Sequence, residues 1–172
     1  TQIKHSYATL LYNQGCVLAK DITVDTQLAA IDLFKKSLRY NSSYYKTLYN
    51  IACCYININD LTHGIEYLHK TLDLNPNHTD SHFALSQYYQ QNNNNKLAET
   101  HLAQSLQSSK NNKNSNLAVA EYNYGVLEQQ RKNYDQALAH YKTSLGLNPN
   151  SFATCYNMAS VYQKIQNYPE AI

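Results

Sequence analysis

Apolar and small residues recur along this chain at helical spacing, and the spacing itself recurs. One stretch reads Leu48-x2-Ile51-Ala52-x2-Tyr55, then Gly64-x3-Leu68, and closes on Pro76. Others read His82-x2-Leu85-Ser86-x2-Tyr89 with Ala98-x3-Leu102, and Cys155-x2-Met158-Ala159-x2-Tyr162 with Ala171. Two further copies carry Leu11, Gly15, Leu18 and Ala30-x3-Phe34, and Tyr124-Gly125, Ala137-x3-Tyr141 and Pro149. Steps of three, four and seven put such residues on one helical face. Each copy therefore predicts two antiparallel helices, A and B, joined by a short turn. Asn59-Asp60, Asn93-Asn94 and Asn133 fall in those turns, where Asn and Asp suit turn and cap geometry. Pro76 and Pro149 end helix B, because proline cannot continue a helix.

The copies keep a period. Tyr-Asn followed two residues later by Gly or Ala occurs at Tyr12-Asn13, Tyr49-Asn50, Tyr122-Asn123 and Tyr156-Asn157. The first two copies lie 37 residues apart and the last two 34 apart. Asn75-Pro76-Asn77 and Asn148-Pro149-Asn150 hold a constant phase with them. A period of this size predicts a stack of repeats, each packed on its neighbours, rather than a closed globule. The repeats run 8–44, 45–78, 79–117 and 118–151, with a partial fifth over 152–172. Residues 1–172 are thus expected to form one array. Gly15 and Gly125 share the eighth position, where a small residue lets helices approach closely. Gly64 shares the twentieth with Ala30, Ala98, Ala137 and Ala171.

The first repeat is longer by three residues around Lys20–Asp25, and the third by five within Gln107–Asn116. Insertions in stacked repeats belong in loops. Residues 1–7 read as the tail of an upstream repeat, and the last repeat stops just inside a helix B, so a piece of a longer protein is expected.

Composition narrows the function classes. The formal net charge is +2, and 15% of the residues are charged. No Lys/Arg stripe is present to follow phosphates, so nucleic acid is not expected as a partner. No apolar run reaches the roughly 18 residues of a membrane span, so no membrane insertion is expected. Cys16, Cys53, Cys54 and Cys155 show neither zinc nor disulfide spacing, consistent with reduced cysteines in an intracellular, cytoplasmic protein. His78 and His82 have the i, i+4 spacing of a metal pair but no third ligand, so a surface role is expected and no metal or other cofactor. Nothing pairs a nucleophile with a base, so no catalytic residues are expected and the chain reads as not an enzyme.

These phased units resemble the tetratricopeptide repeat family, and the resemblance covers nearly the whole chain. It implies an all-α fold: an α-solenoid, a right-handed superhelix of antiparallel helix-turn-helix units. It also implies a concave groove lined by the A helices. Carried onto this chain, one row of that groove holds Tyr12, Tyr49, Phe83, Tyr122 and Tyr156. The row beside it holds Asn13, Asn50, Ala84, Asn123 and Asn157. An Asn amide both donates and accepts, so a spaced row can follow a peptide backbone. Tyr adds area and a hydroxyl. Family members that clamp a C-terminal carboxylate need Lys or Arg in the groove, and the second position here holds Thr9, Lys46, Asp80, Val119 and Ala153.

Glu121 and Glu128 interrupt the pattern at positions that are normally apolar. Seven residues apart, they share a helical face, and burying them unpaired would be costly. They are expected to stay wet, or to face Lys110 or Lys113 of the inserted segment or a basic partner. The leading expectation is a non-catalytic interaction scaffold within a multi-subunit assembly, holding a protein partner as an extended peptide or a helix. The alternatives are the recognition arm of an enzyme whose catalytic domain lies elsewhere, and a structural subunit using its convex face.

Overall fold

A computed structural model describes residues 2–111 and 117–167. Among them all regular structure is helical: α1 (Gln2–Leu18), α2 (Val24–Tyr40), α3 (Tyr45–Asn57), α4 (Leu61–Leu74), α5 (Thr79–Gln91), α6 (Asn95–Asn111), α7 (Leu117–Gln130), α8 (Tyr134–Leu147) and α9 (Phe152–Asn167). The chain divides into two compact units, Thr1–Leu85 and Ser86–Ile172. The all-α fold of helix-turn-helix repeats expected from the sequence is what the units show.

In the N-terminal unit α1 packs on α2, α2 on α3 and α3 on α4. Its core joins Ala30, Ile31 and Phe34 of α2 to Ile51, Cys54 and Tyr55 of α3. Gly15 brings α1 onto the Phe34 ring: a Cβ there would lie 2.6 Å from the ring edge. In the C-terminal unit α6 packs on α7, α7 on α8 and α8 on α9. Ala137, Leu138 and Tyr141 of α8 meet Val161 of α9 in its core. Gly125 repeats the close approach, against Tyr141.

The turns follow the sequence. Asn59, Asn93 and Lys132 take left-handed φ of 61°, 58° and 64°. Asn tolerates that region better than other side chains do, since it can bond locally. Asp60 then caps α4 by accepting from His63 N at 3.2 Å. At the other end, α4 and α8 stop two residues before proline. Asn75 and Asn148 close them, donating to Thr71 O at 2.9 Å and Ser144 O at 2.8 Å.

The longer first turn is tied down from inside. Gln27, fully buried, donates to Ala19 O at 3.1 Å and Asp21 O at 2.6 Å. Its carbonyl accepts from Asn57 at 3.2 Å. One buried amide thus ties the loop carbonyls of Ala19 and Asp21 to α2.

Residues 2–7 continue α1, so that helix starts before the repeat boundary at residue 8. One expectation is corrected. The extra residues of the third repeat begin as helix, since α6 runs to Asn111. Residues 112–116, and the partial fifth helix B with Ala171, lie outside the described residues.

Candidate functional site on the A helices

The repeated Tyr-Asn pair acquires a geometric meaning. Asn50 of α3 donates its amide to the Tyr12 hydroxyl of α1 at 3.3 Å and to Cys16 Sγ at 3.5 Å. In the C-terminal unit Asn157 of α9 donates to the Tyr122 hydroxyl of α7 at 3.1 Å. In each unit, then, the Asn of one repeat reaches the Tyr of the repeat before it. The third repeat has Phe83-Ala84 and so carries neither the hydroxyl nor the amide.

The remaining amides are not used this way. Asn13 is exposed and Asn123 half-buried, and no side-chain hydrogen bond of either is seen among the described residues. The predicted Asn row therefore divides into two amides engaged between helices and two left available.

The aromatic row divides as well. Tyr12 packs obliquely on Phe34 and edge-on to Tyr44, at 5.8 and 5.2 Å between centroids. Burial first, and then the Cys16 thiol, push its hydroxyl up to about 12, so it stays a protonated phenol at neutral pH. Tyr49 is raised further, by burial and then by Cys53, and its ring lies 4.7 Å from that of His78. Tyr122 tilts over Tyr141 at 6.0 Å. Phe83 is half-buried, whereas Tyr156 is 69% exposed.

A hollow of about 200 Å³ opens beside Tyr12 in the N-terminal unit. Ala8 and Ser37 line it together with Tyr12 and Tyr44, and its polar groups come from His5, Thr9, Asn13 and Asn41. A second hollow, of about 210 Å³, holds Asn50, Cys16, Cys53, Cys54 and Lys20 among its lining. No carboxylate lines either one. Sequence reasoning missed His5, Asn41 and Tyr44, which come from the preceding turn of α1 and from the α2–α3 connection.

Glu121 and Glu128 require a correction. Both are 5% exposed rather than wet, and they are paired inside their own unit. Glu121 meets His140 Nδ1 at 2.7 Å. Glu128 accepts from Asn133 at 2.7 Å and from Arg131 at 3.3 Å. Arg131 also reaches Glu99 of α6, at 3.8 Å. Such pairing offsets the cost of burying the charges. Lys113 lies outside the described residues.

His78 and His82 also depart from expectation. His82 is buried, with Nε2 2.9 Å from Pro76 O, and His78 is half-buried at the start of α5. Burial first holds both imidazoles below the ordinary histidine value. Among the described residues no group of three or more His, Cys, Asp or Glu could hold a metal ion. No helix among them is long and apolar enough to cross a membrane. Cys16, Cys53, Cys54 and Cys155 are free thiols. Burial pushes Cys54 up to about 11 and raises Cys53 as well, which keeps both as thiols.

The helix pairs can be set against known proteins. The sequence profile of the tetratricopeptide repeat family matches residues 45–78 and 120–151. No curated protein matches the chain in sequence at a significant level. Among solved structures, PilF of Pseudomonas aeruginosa superposes with a TM-score of 0.79 at 16% identity, over 96% of this chain and 72% of its own. PilW, described as a type IV pilus biogenesis factor, gives 0.77 at 12% identity, over 95% and 72%. YrrB, described as a TPR protein with an unusual peptide-binding site, gives 0.59 at 18% identity, over 91% and 77%. At such identities the likeness shows the fold alone. By its two profile matches and its helix hairpins, the chain carries tetratricopeptide repeats, at residues 45–78 and 120–151.

Proposed function

We propose that the A helices of each unit hold a segment of a partner protein, as an extended peptide or a helix, against the Tyr and Asn side chains of that unit. The tetratricopeptide fold already supports a protein-interaction scaffold. The observation that carries the finer reading is the division of the Asn row. Asn50 and Asn157 are engaged between helices, while Asn13 and Asn123 have no side-chain bond among the described residues. Asn13 also lines the hollow walled by Tyr12 and Tyr44, where a partner side chain can enter. The carboxylate-free lining favours an uncharged or acidic segment over a basic one. YrrB, with the same fold, is described as binding peptide, which supports the reading by analogy.

The test uses the chain as an affinity bait, with partners identified by mass spectrometry. The double variant Asn13→Ala, Asn123→Ala removes the two available amides without touching a hydrogen bond of the fold. If each makes one net bond to the partner, about 1–3 kcal/mol is lost in total, which weakens binding by roughly fivefold to a hundredfold. Circular dichroism should stay unchanged. Recovery of every partner at the level of the unmodified chain counts against the proposal.

A further inference from the structure

The Asn-Pro-Asn stops are followed by Ser151 in one repeat and by His78 in another. Both residues begin a helix A and do the same work. Ser151 Oγ accepts from Thr154 N at 3.4 Å, three residues on. His78 Nδ1 accepts from Ser81 N at 3.3 Å, also three residues on, and lies 2.9 Å from Ser81 Oγ. The first helical bonds, His82 N to His78 O at 3.2 Å and Cys155 N to Ser151 O at 3.1 Å, match as well. Each side chain thus caps its helix by satisfying an orphan N–H.

The two caps differ in one respect. A hydroxyl keeps its acceptor at every ordinary pH. An imidazole accepts at Nδ1 only while that nitrogen carries no proton. The His78 ring also props the aromatic row, lying 5.4 Å edge-on from Tyr45 and 4.7 Å from Tyr49. We propose that His78 is a proton-operated latch at the start of α5: neutral, it caps the helix and supports Tyr49; protonated, it releases the cap of the helix that carries Phe83.

The surroundings favour the neutral form. Burial acts first, against the charged imidazole. Lys46 of α3 and His82 of α5 push the same way, and Asp80 of α5 opposes them. His69 of α4 bears on His82. A positive charge would also sit at a helix N-terminus, the unfavourable end of the macrodipole. The folded chain therefore takes this proton less readily than the unfolded chain, where histidine titrates near about 6.5. Stability from the latch is complete above that value and is lost as pH falls below it. The loss reaches up to about tenfold in the unfolding equilibrium constant per pH unit, and stops once the folded form is itself protonated. The latch operates whatever the A helices bind.

The test compares the chain with His78→Ser, which installs the cap seen at Ser151. Urea unfolding is measured at steps from pH 7.5 to 5. The unmodified chain should lose stability more steeply than His78→Ser as pH falls, by up to about tenfold per pH unit. Independently, NMR of the unmodified chain should show the His78 ring titrating below the ordinary histidine value, with the Ser81 amide exchanging faster as it does. Equal slopes for the two chains, or a His78 midpoint at or above the ordinary value, would overturn the latch.

Discussion

Replacing Gly15 with Ala sets two known effects against each other. Alanine is favoured over glycine inside a helix by about 0.8–1.0 kcal/mol, so an unobstructed site would gain. Gly15 is obstructed: the new methyl would lie 2.6, 2.8 and 3.0 Å from three carbons of the Phe34 ring. Ordinary carbon contacts are about 3.5–4.0 Å. Phe34 is completely buried and forms part of the shared core of α2 and α3, so its ring has no free direction in which to retreat. Overpacking of this kind costs about 1–3 kcal/mol, leaving a net loss of about 1–2 kcal/mol once the helix gain is subtracted near the upper end. For a chain of this length that lowers Tm by about 2–8 °C. Gly146 is the internal control, since a Cβ there meets nothing within 4 Å. Gly146→Ala should raise Tm by up to about 4 °C. Thermal unfolding followed by circular dichroism checks both. If Gly15→Ala stabilises as much as Gly146→Ala, the close approach of α1 to α2 is wrong.

Two further substitutions probe single features. Thr47 is fully buried and its Oγ1 has no partner among the described residues, so the near-isosteric Thr47→Val should stabilise the chain by about 1 kcal/mol or more in urea unfolding; a loss would mean that the hydroxyl has a partner. Lys132 holds the left-handed turn position that Asn59 and Asn93 hold elsewhere, so Lys132→Asn should raise stability by about 0.5–1 kcal/mol, and an unchanged unfolding midpoint would count against strain there.

Much of the fold was legible because helical period, turn residues and proline stops are local signals. Gly15 and Gly125 could be read as points of close approach from their shared position in the repeat. The rest depended on residues far apart in sequence. Asn50 meets Tyr12 across 38 positions, and Asn157 meets Tyr122 across 35, so a row of amides read from spacing alone could not show which members were already engaged. Glu121 looked costly because its partner His140 sits 19 residues away on the next helix. The continuation of α1 to Gln2 was missed because a boundary drawn from the repeat period takes no account of a helix that begins before it. His78 was read as half of a surface pair because histidine is not among the usual cap residues.

The central claim is that the Tyr-Asn pair joins successive A helices at Asn50 and Asn157 and leaves Asn13 and Asn123 for a partner. Solvent exchange of the four side-chain amides, measured by NMR on nitrogen-labelled protein, tests it most directly. The account predicts slowed exchange for Asn50 and Asn157, which donate to Tyr12 and Tyr122, and fast exchange for Asn13 and Asn123. Four amides exchanging alike, or protection at Asn13 and Asn123 instead, would contradict it.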